Sequence, residues 1–188
     1  GMQGGTAATQ DVFIEHVGMP ILACIPLAVK ALQDLGMHRK VQLIVSGGIR
    51  SGADVAKAMA LGADAVSIGT AALIALGDND PKWEAEYQKL GTTADAYDDW
   101  HEGKDPAGIT TQDPELSKRF DPVLGGRRLK NYLKVMTLEA QTIARACGKN
   151  HLHNLEPEDL CSLTIEAAAM AGVPLAGTSW IPGRNGSF

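Results

Sequence analysis

The sequence predicts an α/β fold with parallel strands, and three observations carry that expectation. Two short runs rich in β-branched apolar residues, at 41–45 and 63–68, are each followed by a glycine turn. A helical pattern with capping residues lies between them. Strand, helix and strand in that order require a parallel pair with a right-handed crossover.

The elements follow in order. Residues 41–45 (VQLIV) form an apolar run with one polar break, of the kind buried on both faces of a parallel sheet. Ser51 is placed as an N-cap, and Asp54 stands near the positive end of the helix dipole. The helix continues through Val55, Met59 and the alanines and stops at Gly62. Upstream, residues 9–35 read as two helical pieces broken at Gly18-Met19-Pro20, the second ending at Gly36. Downstream, residues 78–128 read as an irregular, loop-rich segment. It holds short helical signals at 81–89 and at Asp113-Pro114-Glu115. Residues 129–146 form an amphipathic helix with Leu129, Leu133, Met136, Ala140, Ile143 and Ala144 on one face, closed by Gly148. A last helix is expected over 157–171, with Gly172 at its stop, and residues 178–188 read as a flexible tail.

Composition sets limits. Apolar residues make up 45% and charged residues 21% of the 188-residue chain, ordinary values for a globular protein. Only 5% is aromatic, so Ala, Val, Ile and Leu must build the core. A net charge of −5 argues against a nucleic-acid surface, and Arg127, Arg128 and Lys130 read as a solvated helix face. No apolar window reaches the length of a membrane span, and the N-terminal GMQGGTAATQ lacks the pattern of a signal peptide. Cys24, Cys147 and Cys161 show neither disulfide nor metal spacing and fit a reducing compartment. The expected location is the cytoplasm.

The turns Gly47-Gly48 and Gly69-Thr70 are the candidate binding elements. A glycine turn at a strand end lets backbone N–H groups approach an anion, and a helix N-terminus adds partial positive charge. Three or four such bonds, discounted for lost water contacts, would hold a phosphate at roughly micromolar to millimolar strength. In a (β/α)8 barrel the loops after the last two strands often form such a site. The plain alternative is that the glycines only make tight turns. The small hydroxyl neighbours Ser46, Ser51 and Thr70 favour the binding reading.

The block LIVSGGIRSGADVAKAMALGADAVSIGTAALIALG resembles the end of the flavin-binding synthase domain of glutamate synthases, and especially the FMN-binding glutamate synthase family. GMQGGTAAT is similar to the DGGTGA turn after the sixth barrel strand of that family. PAGITTQDPEL and ARACGKNHLHNLEPEDL are similar to its C-terminal portion, so the resemblance covers nearly the whole chain. It implies the C-terminal portion of a (β/α)8 TIM-type barrel over residues 1–77 (strands β7 and β8 of that barrel). The barrel is incomplete in this chain, and a helical C-terminal extension follows over 129–177.

The resemblance further implies that Ser46, Gly47, Gly48, Arg50, Gly69 and Thr70 bind the phosphate of FMN. Gly4, Gly5 and Thr6 would lie near the flavin and the substrate. The implied activity is that of an oxidoreductase of glutamate biosynthesis, the reductive amination of 2-oxoglutarate with ammonia or another amine donor. The flavin supplies the hydride chemistry. No catalytic residue is assigned.

Two departures shape the expectation. Three cysteines hold an iron–sulfur cluster in classical members. The ungapped counterparts here are Ala94, Trp100 and Asp105, which supply no thiolate, so no cluster is expected. His101, His151 and His153 read as ordinary surface or packing histidines, and no metal site is expected. The chain also begins inside the DGGTGA-like turn, with Gly1-Met2 resembling a tag remnant before a start methionine, or a gene fragment begun there. A barrel of this type needs about 250 residues. As a fragment the chain is expected to bind FMN weakly or not at all, to be inactive alone, and to cover its open sheet by self-association into a homo-oligomer. Two alternatives stand beside this reading: another phosphate-binding barrel of the inosine-monophosphate-dehydrogenase type, and a non-catalytic assembly module.

Overall fold

The computed structural model describes residues 1–2, 11–78, 80–90 and 103–184. The chain divides into two compact units, each discontinuous in sequence. Both helices and a small parallel sheet are present.

The first unit comprises Gly1, Met19–Ser67 and Met136–Phe188. Its centre is the expected strand–helix–strand unit: β1 (Ile44–Ser46), α3 (Gly52–Ala60) and β2 (Ala65–Ser67). The strands pair in parallel with Ile44 opposite Ala65, Val45 opposite Val66 and Ser46 opposite Ser67. Both strands are shorter than the apolar runs at 41–45 and 63–68. Val41 bridges His38 instead, and Asp64 accepts from the Leu43 amide through Oδ2 at 2.7 Å. Val45 is buried, whereas Ile44 on the other face is 66% exposed.

Around this sheet, α2 (Ile21–Asp34) follows the Gly18-Met19-Pro20 break and carries Pro26 in its interior. It approaches the end of α3 closely. A Cβ on Gly62 would lie 2.6 Å from Val29 Cγ2, which explains a glycine there beyond its φ of 115°. Ala56 and Ala60 of α3 form a buried cluster with Ala144 and Leu155, and Ile143, Cys147, Leu152 and Leu160 pack on it. Small residues on α3 let the C-terminal segments come near, which suits a chain short of aromatics.

The expected helix over 157–171 is corrected. Residues Pro157–Asp159 form one 3-10 turn, Leu160 is extended, and α8 spans only Ile165–Ala171. Local competition explains the break. Asp159 accepts from the Glu156 amide, the Ser162 amide donates to Pro174 O, and Thr164 caps α8 by accepting from the Ala167 amide. Ser162 thereby bridges Leu175, and Leu175 N donates to Trp180 O. Residues 178–184 of the expected tail thus take part in defined hydrogen bonds, among them Trp180 N to Thr178 Oγ1.

The second unit comprises Met2–Gly18 and Ile68–Val135. It holds α1 (Asp11–His16), α4 (Gly69–Leu76), α5 (Glu84–Lys89), α6 (Pro114–Ser117) and the start of α7 (Pro122–Ala146). The segment read as loop-rich therefore contains α5, α6 and the first turns of α7. Asp113 caps α6 as the sequence indicates, accepting from the Glu115 and Leu116 amides. Those two bonds hold its carboxyl below the usual range.

The start of the long helix is corrected from Leu129 to Pro122. Asp121 caps it by accepting from the Val123 and Leu124 amides, with Pro122 in the first turn. Gly125-Gly126 hid this start. Gly125 is helical because the Phe120 ring and Leu76 O leave no room for a Cβ, which would stand 2.6 Å and 3.2 Å from them.

Candidate ligand turns at the strand ends

The β1–β2 register governs the candidate site. Pairing Ser46 with Ser67 brings the C-terminal ends of both strands together, so both glycine turns leave from one end of the sheet. Ser46 is exposed, Gly47 buried, Gly48 half-buried and Arg50 exposed. Gly47 and Gly48 have φ of 128° and 69°, the left-handed region in which a side chain is strained. The Gly1 ammonium donates to Ser46 O at 3.0 Å. Ser46, Gly47, Gly48 and Arg50 thus form one continuous turn of the first unit. Gly69 and Thr70, both exposed, open α4 in the second unit, two residues past Ser67. Gly4, Gly5 and Thr6 lie outside the described residues, as do Ala94, Trp100 and His101.

The turn after β1 runs into a fully built helix start. Ser51 and Asp54 form a capping box: Asp54 N donates to Ser51 Oγ at 3.2 Å and Ser51 N donates to Asp54 Oδ2 at 3.0 Å. The same carboxylate oxygen accepts from Arg50 N at 3.0 Å. Gly52 N donates to Glu139 Oε2 of α7 at 2.7 Å. The α3 terminus, expected to add positive charge for an anion, therefore already serves two carboxylates of the protein. Among the described residues, no side chain accepts from the Gly47 or Gly48 amide.

α4 starts differently. Ile68 stands at its N-cap position with no side-chain hydrogen bond, and Gly69 has φ of 34°. Among the described residues, nothing lies within 4 Å of a Cβ built on Gly69. Left-handed glycines, the Ser46 and Thr70 hydroxyls and the Arg50 guanidinium are donor types that suit a phosphate monoester.

Two side-chain clusters lie away from these turns. In the second unit, the Tyr87 hydroxyl is 3.0 Å from Asp105 Oδ1 and 3.3 Å from buried Asp78 Oδ1. Burial first, then the two carboxylates, push the phenol pKa well up. Asp105 also accepts from the Ala107, Ile109 and Thr110 amides, so it organises the loop it begins. In the first unit, His151 and His153 stack with ring centroids 5.1 Å apart, and His153 Nε2 is 3.0 Å from Asp64 O. Among the described residues, no three His, Cys, Asp or Glu side chains gather as a metal set.

Sequence reasoning missed Glu139 and the Tyr87 cluster. Nothing local marks Glu139, which contacts a residue 87 positions away. Its one signal is its place beside Ala140 and Met136 of the apolar face of α7.

A small parallel strand pair crossed by a helix fits a partial α/β domain. The chain belongs to the family described as the conserved region in glutamate synthase, which matches residues 1–82 and 93–150. A glutamate synthase large subunit-like protein of Rhizobium meliloti (strain 1021) is 87% identical over 185 residues, covering 98% of this chain and 42% of the relative. An archaeal glutamate synthase of Methanocaldococcus jannaschii, whose name specifies NADPH, is 42% identical over 155 residues, 82% of this chain and 27% of the relative. A ferredoxin-dependent glutamate synthase of Arabidopsis thaliana is 31% identical over 155 residues, 82% of this chain and 8% of the relative. The chain thus spans less than half the length of these curated relatives. Family membership sets aside the inosine-monophosphate-dehydrogenase-type barrel. No helix among the described residues is long and apolar enough to cross a membrane.

Proposed function

We propose that this chain contributes the flavin-phosphate end of a glutamate synthase-like oxidoreductase built on a (β/α)8 barrel. The phosphate of FMN is held by the turn amides of Gly47 and Gly48, by the Ser46 hydroxyl and by Arg50. Gly69 and Thr70, at the start of α4, are read as a second phosphate-binding turn in their own right. Gly4, Gly5 and Thr6 are assigned to substrate binding by the family resemblance alone. The overall reaction is the reductive amination of 2-oxoglutarate to glutamate with ammonia or an amine donor. The flavin supplies the hydride chemistry and the protein binds and orients.

The observation that supports this most is the parallel register at Ser46 and Ser67, which starts both turns from the same end of the sheet. Family membership supports reading these turns within a glutamate synthase-like enzyme. The exposure of Ile44 favours a companion reading, in which the bare sheet face is covered by further protein, in a homo-oligomer or an intact enzyme.

Titration of FMN into the chain, followed by flavin fluorescence, tests the phosphate assignment. Gly48→Val puts a branched side chain at φ 69° and in the path of the phosphate. It is expected to lower FMN affinity by at least about tenfold, the loss of roughly one charge-assisted hydrogen bond. Unchanged FMN binding by a folded Gly48→Val protein removes the assignment.

A further inference from the structure

The start of α3 has two properties that its capping motif does not require. Gly52 is pressed against α7: a Cβ there would collide with Met136 O and stand 2.7 Å from both Ala140 N and Glu139 Cβ. At that contact the Glu139 carboxylate accepts from the Gly52 amide at 2.7 Å. A neutral acceptor would satisfy the same amide. The structure instead places a second full negative charge there, beside Asp54, which already accepts from the Arg50 and Ser51 amides.

The electrostatic consequence is specific. A helix N-terminus carries about half a positive charge, available to an incoming anion. At α3 that charge is matched by two carboxylates, and the amides of residues 50, 51, 52, 54 and 55 all have protein acceptors. An anion at the neighbouring turn meets the Gly47 and Gly48 amides but draws little from the helix dipole, and it is repelled by Asp54 and Glu139. Because Glu139 fixes Gly52, it also fixes the C-terminal anchor of the 47–51 turn.

We propose that Glu139 is a positioning and affinity-limiting residue for the phosphate group of the ligand. It clamps the turn in place while its charge keeps the grip on the dianion weak. This deepens the flavin-phosphate reading and rests on it.

The test uses the full chain, with FMN and inorganic phosphate as probes and thermal unfolding as the parallel readout. Glu139→Gln keeps an oxygen for the Gly52 amide and removes the charge. It is expected to melt near the wild type and to bind both probes about two- to fivefold more tightly. The gain shrinks as salt is raised. Glu139→Ala removes charge and acceptor together, and is expected to melt lower and to lose the gain as the turn loosens. Asp54→Asn supplies a second charge-removing variant with the same expected direction.

Wild-type binding of FMN with no gain in folded Glu139→Gln and Asp54→Asn proteins overturns the role of Glu139 alone. Wild-type binding of both probes that a folded Gly48→Val protein retains unchanged overturns the flavin-phosphate reading and this inference together.

Discussion

The helices that follow the two strands begin in opposite ways. α3 starts behind a serine cap, a reciprocal carboxylate and a second carboxylate from a helix 87 residues along the chain. Five of its residues are buried. α4 starts behind Ile68 with no side-chain cap, and it has no buried residue. Two similar glycine motifs in the sequence thus open one helix whose start is closed by the protein and one whose start is not. A strand-end glycine turn therefore does not by itself identify a binding site. What separates the two is which groups already accept from the amides, and that depends on residues outside the motif.

The largest expected effect breaks the closed start. Gly52→Ala places a methyl group against the backbone of α7, and overpacking of this kind costs about 3 kcal/mol. A large drop in the denaturation midpoint is expected, and an unchanged midpoint would show that α3 and α7 are not held this close. A middle-sized effect belongs to the second unit, where the Tyr87 hydroxyl joins Asp78 and Asp105. Tyr87→Phe removes a donor to a carboxylate and is expected to cost about 1.5–3 kcal/mol near neutral pH.

The same substitution changes the alkaline limb. Because the folded phenol titrates above its unfolded value of about 10, its contribution is full below that pH and is lost as pH rises beyond it. Wild-type stability should therefore fall above about pH 10. The fall should be shallower in Tyr87→Phe, as pH-dependent chemical unfolding would measure. The smallest stability effect sharpens the open start. Gly69→Ala meets no described neighbour, and its φ of 34° implies a strain cost of about 1 kcal/mol. FMN affinity is expected to drop by more than that strain accounts for. A loss of stability as large as that of Gly52→Ala would mean that the two starts are alike.

Much of the local structure was legible because local chemistry decides it. Ser51 with Asp54, Asp113 before Pro114, the stop at Gly172 and the break before Pro20 all behave as their residue types require. The parallel pair followed from order alone. What escaped was decided by distant partners. Gly125 reads as a helix breaker until Phe120 and Leu76 O are seen to occupy the space of its side chain. The apolar spacing of 157–171 suits a helix, yet the Ser162–Leu175 bridge pulls its middle into extended chain. In the candidate site, the glycines were visible as motif. Glu139, which accepts from the Gly52 amide, carries no local signature.

Ile44 has a consequence for handling the protein. It projects from the bare face of a two-stranded ribbon, and among the described residues neither outer border of that ribbon is paired with another strand. A strand border that pairs with no further strand, beside a greasy side chain, is a template for adding strands from other molecules. Concentrated solutions of the isolated chain should therefore stick to themselves, and a charged residue in place of Ile44 should keep them clear.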